Sequence, residues 1–173
     1  MSDPDLELAS RREIYQRIAD APGVHFRALL DELEYAQGTL QYHLRWLESE
    51  GLVAVSDDGK YTRYYPAAEF DEADRTVMNA LRREYSRRVL AHLLADGPLS
   101  TTELSDRLDK AQSTVSWHLS KLAEAGLVTK ARDGRSVVYD VSDPDRVRHL
   151  YTLHRPSFTD KVVDRILGLW DSY

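Results

Sequence analysis

Cysteine is absent from the 173 residues. That excludes a disulfide framework, a thiolate zinc centre and a redox-sensing thiol. An excess of positive charge is missing as well. The formal net charge is −6 and the isoelectric point about 5.5, whereas a nucleic-acid binder usually carries a basic footprint. The sum weighs against nucleic acid, so the local distribution of charge has to decide. No apolar run approaches the roughly 18–20 residues of a membrane span, and no membrane partner is expected. The opening MSDPDLELASRRE has no apolar stretch of the kind a secretory signal needs. A cytoplasmic location is the expectation. Glycine-rich phosphate loops, HExxH and GxSxG are also missing. Neither an enzyme nor a cofactor is expected.

What is present is a repeat. Residues 39–53 read TLQYHLRWLESEGLV and residues 114–128 read TVSWHLSKLAEAGLV. The offset of 75 residues holds without a gap from Leu29/Leu104 to Tyr64/Tyr139. It matches Gln37 with Gln112, Thr39 with Thr114, His43 with His118, and Gly51 with Gly126. Such a period is too long for a solenoid and long enough for a small domain. Domains that small bury little core alone, so packing on a neighbouring helix or a second chain is expected. The expected division is a first module over 1–70, a linker helix over 71–82, a second module over 83–142 and a helical packing or dimerisation segment over 143–173.

Periodicity fills in each module. Ser10 and Glu13 have capping-box spacing ahead of Ile14 and Ile18. Ala21-Pro22-Gly23 stops that helix, and a short helix covers 27–33. Leu40, Leu44 and Leu47 mark one face of a third helix over 38–50, closed by Gly51. Two stretches of strand formers, 52–56 and 61–65, then flank an Asp-Gly turn, the signal of a hairpin. The second copy repeats the order at 87–95, Thr101–Leu108, 112–125, 127–132 and Ser136–Val141. Beyond it, Asp143-Pro144-Asp145 opens a helix that Pro156 is expected to break. A last helix over 158–170 carries the apolar stripe Phe158, Val162, Val163, Ile166, Leu169 and Trp170, which has no evident partner in either module. The expected fold is mainly α with small β-hairpin wings, an α+β arrangement of two tandem winged helix-turn-helix domains.

The strings around Gln112–Leu119 and Ala125–Val128 resemble the third helix and wing entry of ArsR-like and MarR-like winged-helix regulators. The first copy, with Pro22-Gly23-Val24-His25-Phe26 and 38–44, resembles archaeal, in particular haloarchaeal, tandem regulators of this kind. The resemblance implies a transcription regulator that reads a double-stranded DNA operator. ArsR metal sensors use cysteine pairs or paired Asp/His ligands. Here cysteine is absent and His149 and His154 stand five apart, so no metal site is carried over.

An α-helix fits the major groove, with base contacts from its N-terminal side. The candidate DNA contacts are Gln37, Thr39, Gln41, Tyr42 and Arg45 on the first third helix, with Lys60 and Arg63 on its wing. In the second copy they are Gln112, Ser113, Thr114, Ser116, Trp117 and Lys121, with Lys130, Arg132 and Arg135 on the wing. From 36 to 65 there are three positive and four negative side chains, and from 111 to 140 four and three. By charge the second module is the better phosphate binder. Arg82, Arg83, Arg87 and Arg88 either track phosphate or form a solvated helix start. His43 and His118 are either DNA-facing, pH-responsive groups or packed helix residues. A homodimer held by the C-terminal stripe is expected, and the competing arrangement folds that stripe onto the helix over 70–81. The alternative function is a tandem winged-helix protein-interaction module that does not read DNA.

Overall fold

The computed structural model describes residues 4–169, with side chains from residue 7 onward. It divides into two units, Met1–Asn79 and Ala80–Tyr173.

The first unit is built from α1 (Pro4–Asp20), β1 (Val24–His25), α2 (Phe26–Glu32), α3 (Gln37–Ser49), β2 (Val53–Asp57), β3 (Thr62–Pro66) and most of α4 (Glu72–Leu81). The second repeats the plan with α5 (Glu84–Asp96), β4 (Leu99–Ser100), α6 (Thr101–Leu108), α7 (Gln112–Glu124), β5 (Val128–Asp133) and β6 (Ser136–Val141). It adds α8 (Pro144–Phe158) and α9 (Lys161–Ile166). The winged helix-turn-helix fold is therefore present twice.

Each wing is antiparallel, β2 on β3 with Val55 opposite Tyr64 and β5 on β6 with Lys130 opposite Tyr139. A two-residue strand completes each sheet, giving the orders β1-β3-β2 and β4-β6-β5. Periodicity cannot reveal strands that short, and neither was expected. They tie the entry to the second helix of each unit onto its wing.

The third helices obey the spacing. Leu40, Leu44 and Leu47 of α3 are buried among Ile14, Ile18, Leu29 and Val53. Val115, Leu119 and Leu122 of α7 are buried in the same way. Gly51 and Gly126 follow with φ of 72° and 77°, a left-handed conformation that costs glycine little.

Two expectations fail locally. α1 begins at Pro4, so Ser10 lies inside it rather than capping it. The genuine capping box is Ser100 with Glu103, where the N-cap hydroxyl accepts the Glu103 N–H at 3.1 Å. Pro156 does not end α8, which runs on to Phe158. The proline falls in the last turn and deprives only the Thr152 carbonyl of a partner, and Thr152 is exposed to water.

The C-terminal stripe also departs from expectation. α9 is short, and Trp170 lies outside the described residues. Phe158 and Val163 were expected between chains, yet they are buried inside the second unit, where α9 packs on α5. Tyr151 stacks on the Phe158 ring at 5.1 Å. Val162 remains exposed, while Ile166 and Leu169 are half-buried.

Candidate nucleic-acid interface

Burying Leu40, Leu44 and Leu47 turns the opposite side of α3 outward. That side holds Gly38, Tyr42, Arg45 and Ser49, with Gln37 and Thr39 exposed in the first turn and Gln41 half-buried. The matching side of α7 holds Ser113, Ser116, Trp117 and Ser120, with Gln112 and Thr114 exposed. Neither helix has a side-chain cap, because alanine occupies both N-cap positions, Ala36 and Ala111. The first-turn N–H groups therefore lack a side-chain acceptor at the positive end of each helix dipole.

Tyr42 and Trp117 are about half exposed, at 53% and 56%. Each is held from behind. The Arg11 guanidinium of α1 lies 4.0 Å over Trp46 and 5.8 Å from the Tyr42 ring. It also pairs with Glu7 at 3.6 Å. Trp117 meets His118 edge-on at 4.9 Å, and Lys121 sits 5.7 Å from its ring while reaching Glu124 at 3.5 Å.

His43 and His118 stand behind these aromatics, not among the exposed residues. His43 is buried against Tyr35 and Tyr42. His118 is half-buried and stacks on Tyr85 at 3.9 Å. Burial, then the neighbouring cations Arg11 and Arg83, lowers both imidazole pKa values. They are neutral packing groups near pH 7, as the second of the two sequence readings had it.

The wings differ more than their sequences suggest. Lys130, Arg132 and Arg135 are exposed on the second wing, and no ion pair holds them among the described residues. On the first wing Lys60 is exposed, but Arg63 is only 4% exposed. Its Nε donates to Asp58 at 2.5 Å and its Nη1 to the Gly23 carbonyl at 2.8 Å. Asp58 also accepts the Lys60 and Tyr61 N–H groups. Burial pushes this carboxyl up, but the hydrogen bonds from Arg63 and the two amides outweigh it and hold the pKa well below the carboxylate range. Arg63 therefore stitches the wing to the turn after α1 and does not face outward. The only signal in sequence was that the repeat keeps the aspartate, Asp133, but places Val138 where Arg63 stands.

The basic stretch before the second module is likewise structural. Arg82 donates to the Ser157 carbonyl and hydroxyl at 3.2 and 2.9 Å and covers the Phe158 ring. Arg87 binds Asp160 at 2.9 Å, and Arg88 lies 3.6 Å from the same carboxylate. Arg88 also pairs with exposed Glu84 at 2.9 Å, as a solvated helix start would, but neither that reading nor a phosphate track describes Arg82 and Arg87. They moor the C-terminal helices to α5.

Among the described residues no group of His, Asp and Glu is arranged to hold a metal ion, and no helix is long and apolar enough to cross a membrane.

Known families match the two units separately. A family described as an N-terminal HTH domain matches residues 9–78, and a helix-turn-helix domain family matches residues 82–131. The transcriptional activator HlyU of Vibrio cholerae is 35% identical over 79 residues, covering 46% of this chain and 72% of HlyU. The chain belongs to the helix-turn-helix transcriptional regulators. A solved HlyU structure from Vibrio cholerae is 35% identical, covers 51% of this chain and 96% of its own, and superposes with a TM-score of 0.43. Two archaeal members of these regulators are also similar. An uncharacterized HTH-type transcriptional regulator of Methanocaldococcus jannaschii is 33% identical over 134 residues, or 78% of this chain. The chain spans only 34% of that relative's length. A putative arsenical resistance operon repressor of Halobacterium salinarum is 42% identical over 65 residues, 37% of this chain and 50% of the repressor.

Proposed function

We propose that the chain is a sequence-specific regulator of transcription that binds double-stranded DNA, with its second unit as the main contact. The observation that carries this reading is the outer surface of that unit. The N-terminal half of α7 presents Gln112, Ser113, Ser116 and Trp117, and the adjoining wing presents three unneutralised cations. Glutamine suits adenine, hydroxyls suit phosphate or either base, and a wing cation suits the backbone.

Charge is divided in the same sense. The first unit holds 8 Lys and Arg against 16 Asp and Glu, the second 15 against 13. Their formal charges are −8 and +2, which accounts for the chain's −6. Duplex phosphate repels the first unit in bulk and not the second. A role in protein contact for the first unit follows from this charge and from the burial of Arg63. Within the same proposal the protein acts in the cytoplasm as a homodimer and belongs to the archaeal tandem regulators, of haloarchaeal type given its acidity. Paired chains would present α7 to two half-sites.

Fluorescence anisotropy on a labelled duplex at several salt concentrations tests the reading. Arg132→Ala with Arg135→Ala should flatten the slope of log K against log salt by roughly 0.9 for each DNA phosphate that the wing no longer neutralises. Gln112→Ala or Ser116→Ala should instead relax sequence preference by about 1–3 kcal/mol per base contact. No duplex binding by the wild-type chain, or a slope untouched by the wing variant, would refute it.

A further inference from the structure

The first unit contains a cleft of about 290 Å³ between the tip of its wing and the start of α2. Half-buried Phe26 and Leu30, packed on the core, supply its apolar lining. His25 and Tyr61 line it as a stacked pair, ring centres 4.3 Å apart and 13° from parallel. His25 Nδ1 accepts the Ala28 N–H at 3.0 Å, so the neutral ring carries its proton on Nε2 and remains a donor there. Arg27 and Lys60 bring positive charge, and Gln37 and Thr62 bring neutral hydrogen-bonding groups.

No carboxylate is among the lining residues, in a unit whose formal charge is −8. Three acids close by already have cationic partners. Asp58 pairs with Arg63, and Glu32 pairs with Arg17. Asp31 meets Arg27 at 3.8 Å in a solvated pair, weak enough to yield to a ligand. The Asp58–Arg63 pair also holds the wing side of the cleft in place.

The repeat supplies an internal control. At the positions of His25, Phe26, Arg27 and Leu30 the second unit has Ser100, Thr101, Thr102 and Ser105. At those of Tyr61 and Thr62 it has Ser136 and Val137, while Gln112 and Arg135 match Gln37 and Lys60. One copy keeps short hydroxyls beside its third helix. The other has rings, an apolar floor and an extra cation there. A backbone phosphate needs donors but no apolar floor, so the first unit's cleft suits a different guest.

We propose that this cleft is a binding site for a small organic anion with a flat apolar body, of the aryl carboxylate or aryl phosphate class. The ring lies on Phe26, Leu30 and the His25–Tyr61 stack, and the anionic group meets Arg27 and Lys60. Charge-assisted hydrogen bonds of this kind are the strong ones, and the volume is at the small end for ligand sites.

Isothermal titration calorimetry on the full chain, without DNA, tests the site with phenyl phosphate and benzoate. At least one should bind with a Kd below about 1 mM, inorganic phosphate at least tenfold more weakly, and benzylamine not at all. Arg27→Gln with Lys60→Gln removes two solvated charges and should weaken the aryl anion at least tenfold. Arg135→Gln in the second unit should leave it unchanged. No saturable aryl anion binding, equal affinity for inorganic phosphate, or indifference to the double variant would overturn the assignment. So would a double variant that lowers the salt slope of DNA binding while no probe binds, because the cleft would then serve the duplex. Probe binding is measured without DNA, so its failure leaves the DNA reading standing.

Discussion

Asp160 offers the sharpest test of how the C-terminal helices are held. Its carboxylate does two things at once. One oxygen accepts the Val162 and Val163 N–H groups at 3.2 Å each, capping α9. The other takes the Arg87 Nε–H at 2.9 Å. Arg87 is itself buried and has one further acceptor, the Leu81 carbonyl at 2.8 Å. Asp160→Ala therefore leaves a buried guanidinium short of its counter-charge, a loss of about 3–5 kcal/mol. Asp160→Asn keeps an acceptor for the cap and should recover about 1 kcal/mol of that. Urea unfolding in a Trp46→Phe background checks this, because fluorescence then comes from tryptophans of the second unit. A loss below about 1 kcal/mol for the alanine variant would refute the mooring. The pH dependence gives a second check. Burial pushes the Asp160 carboxyl up, but the hydrogen bond from Arg87, the Val163 N–H and the two arginine charges outweigh it, so its pKa is lowered. A depressed carboxylate contributes its stability above the ordinary value near 4 and loses it as pH falls through the folded-state value. The wild-type advantage over Asp160→Ala should thus be full at pH 7 and shrink in acid below about pH 4.

On the first wing, Arg63→Ala should cost about 3–5 kcal/mol by stranding buried Asp58, and Asp58→Asn in the same chain should restore part of it in a double-mutant cycle read by urea unfolding. Gly97→Ala should destabilise the second unit, because a methyl group there collides with the Leu93 carbonyl and the Asp140 carboxylate; an unchanged melting temperature would refute that. The dimer is best tested with Val162→Asp and Leu153→Asp, since both side chains are exposed and the buried Phe158 and Val163 are spared. Light scattering should give a dimer mass for the wild type and a monomer for the variants, and a wild-type monomer at micromolar concentration would end the dimer reading.

Within a single turn or hairpin the chain was readable. The third helices lie within a residue or so of the ranges expected from Leu40, Leu44 and Leu47 and their repeat equivalents. The C′ glycines and the Asp-Gly turns fall where local conformation requires them. Alternatives inside one short stretch were harder. Ser10 and Glu13 have the same spacing as Ser100 and Glu103, but only the second pair stands at a helix start.

The linear order of residues by itself determined the duplication, the helix-turn-helix-wing order of each copy and the greater positive charge of the second wing. These depend on spacings of two to four residues, or on matching two copies, and both can be counted along a chain. Tertiary structure alone decided which cations are free. Arg63 finds the Gly23 carbonyl across 40 residues, Arg87 finds Asp160 across 73, and Arg82 finds Ser157 across 75. Identical arginines look alike in a sequence, and only the packing that brings a distant acceptor within reach separates those that hold the fold from those left facing solvent.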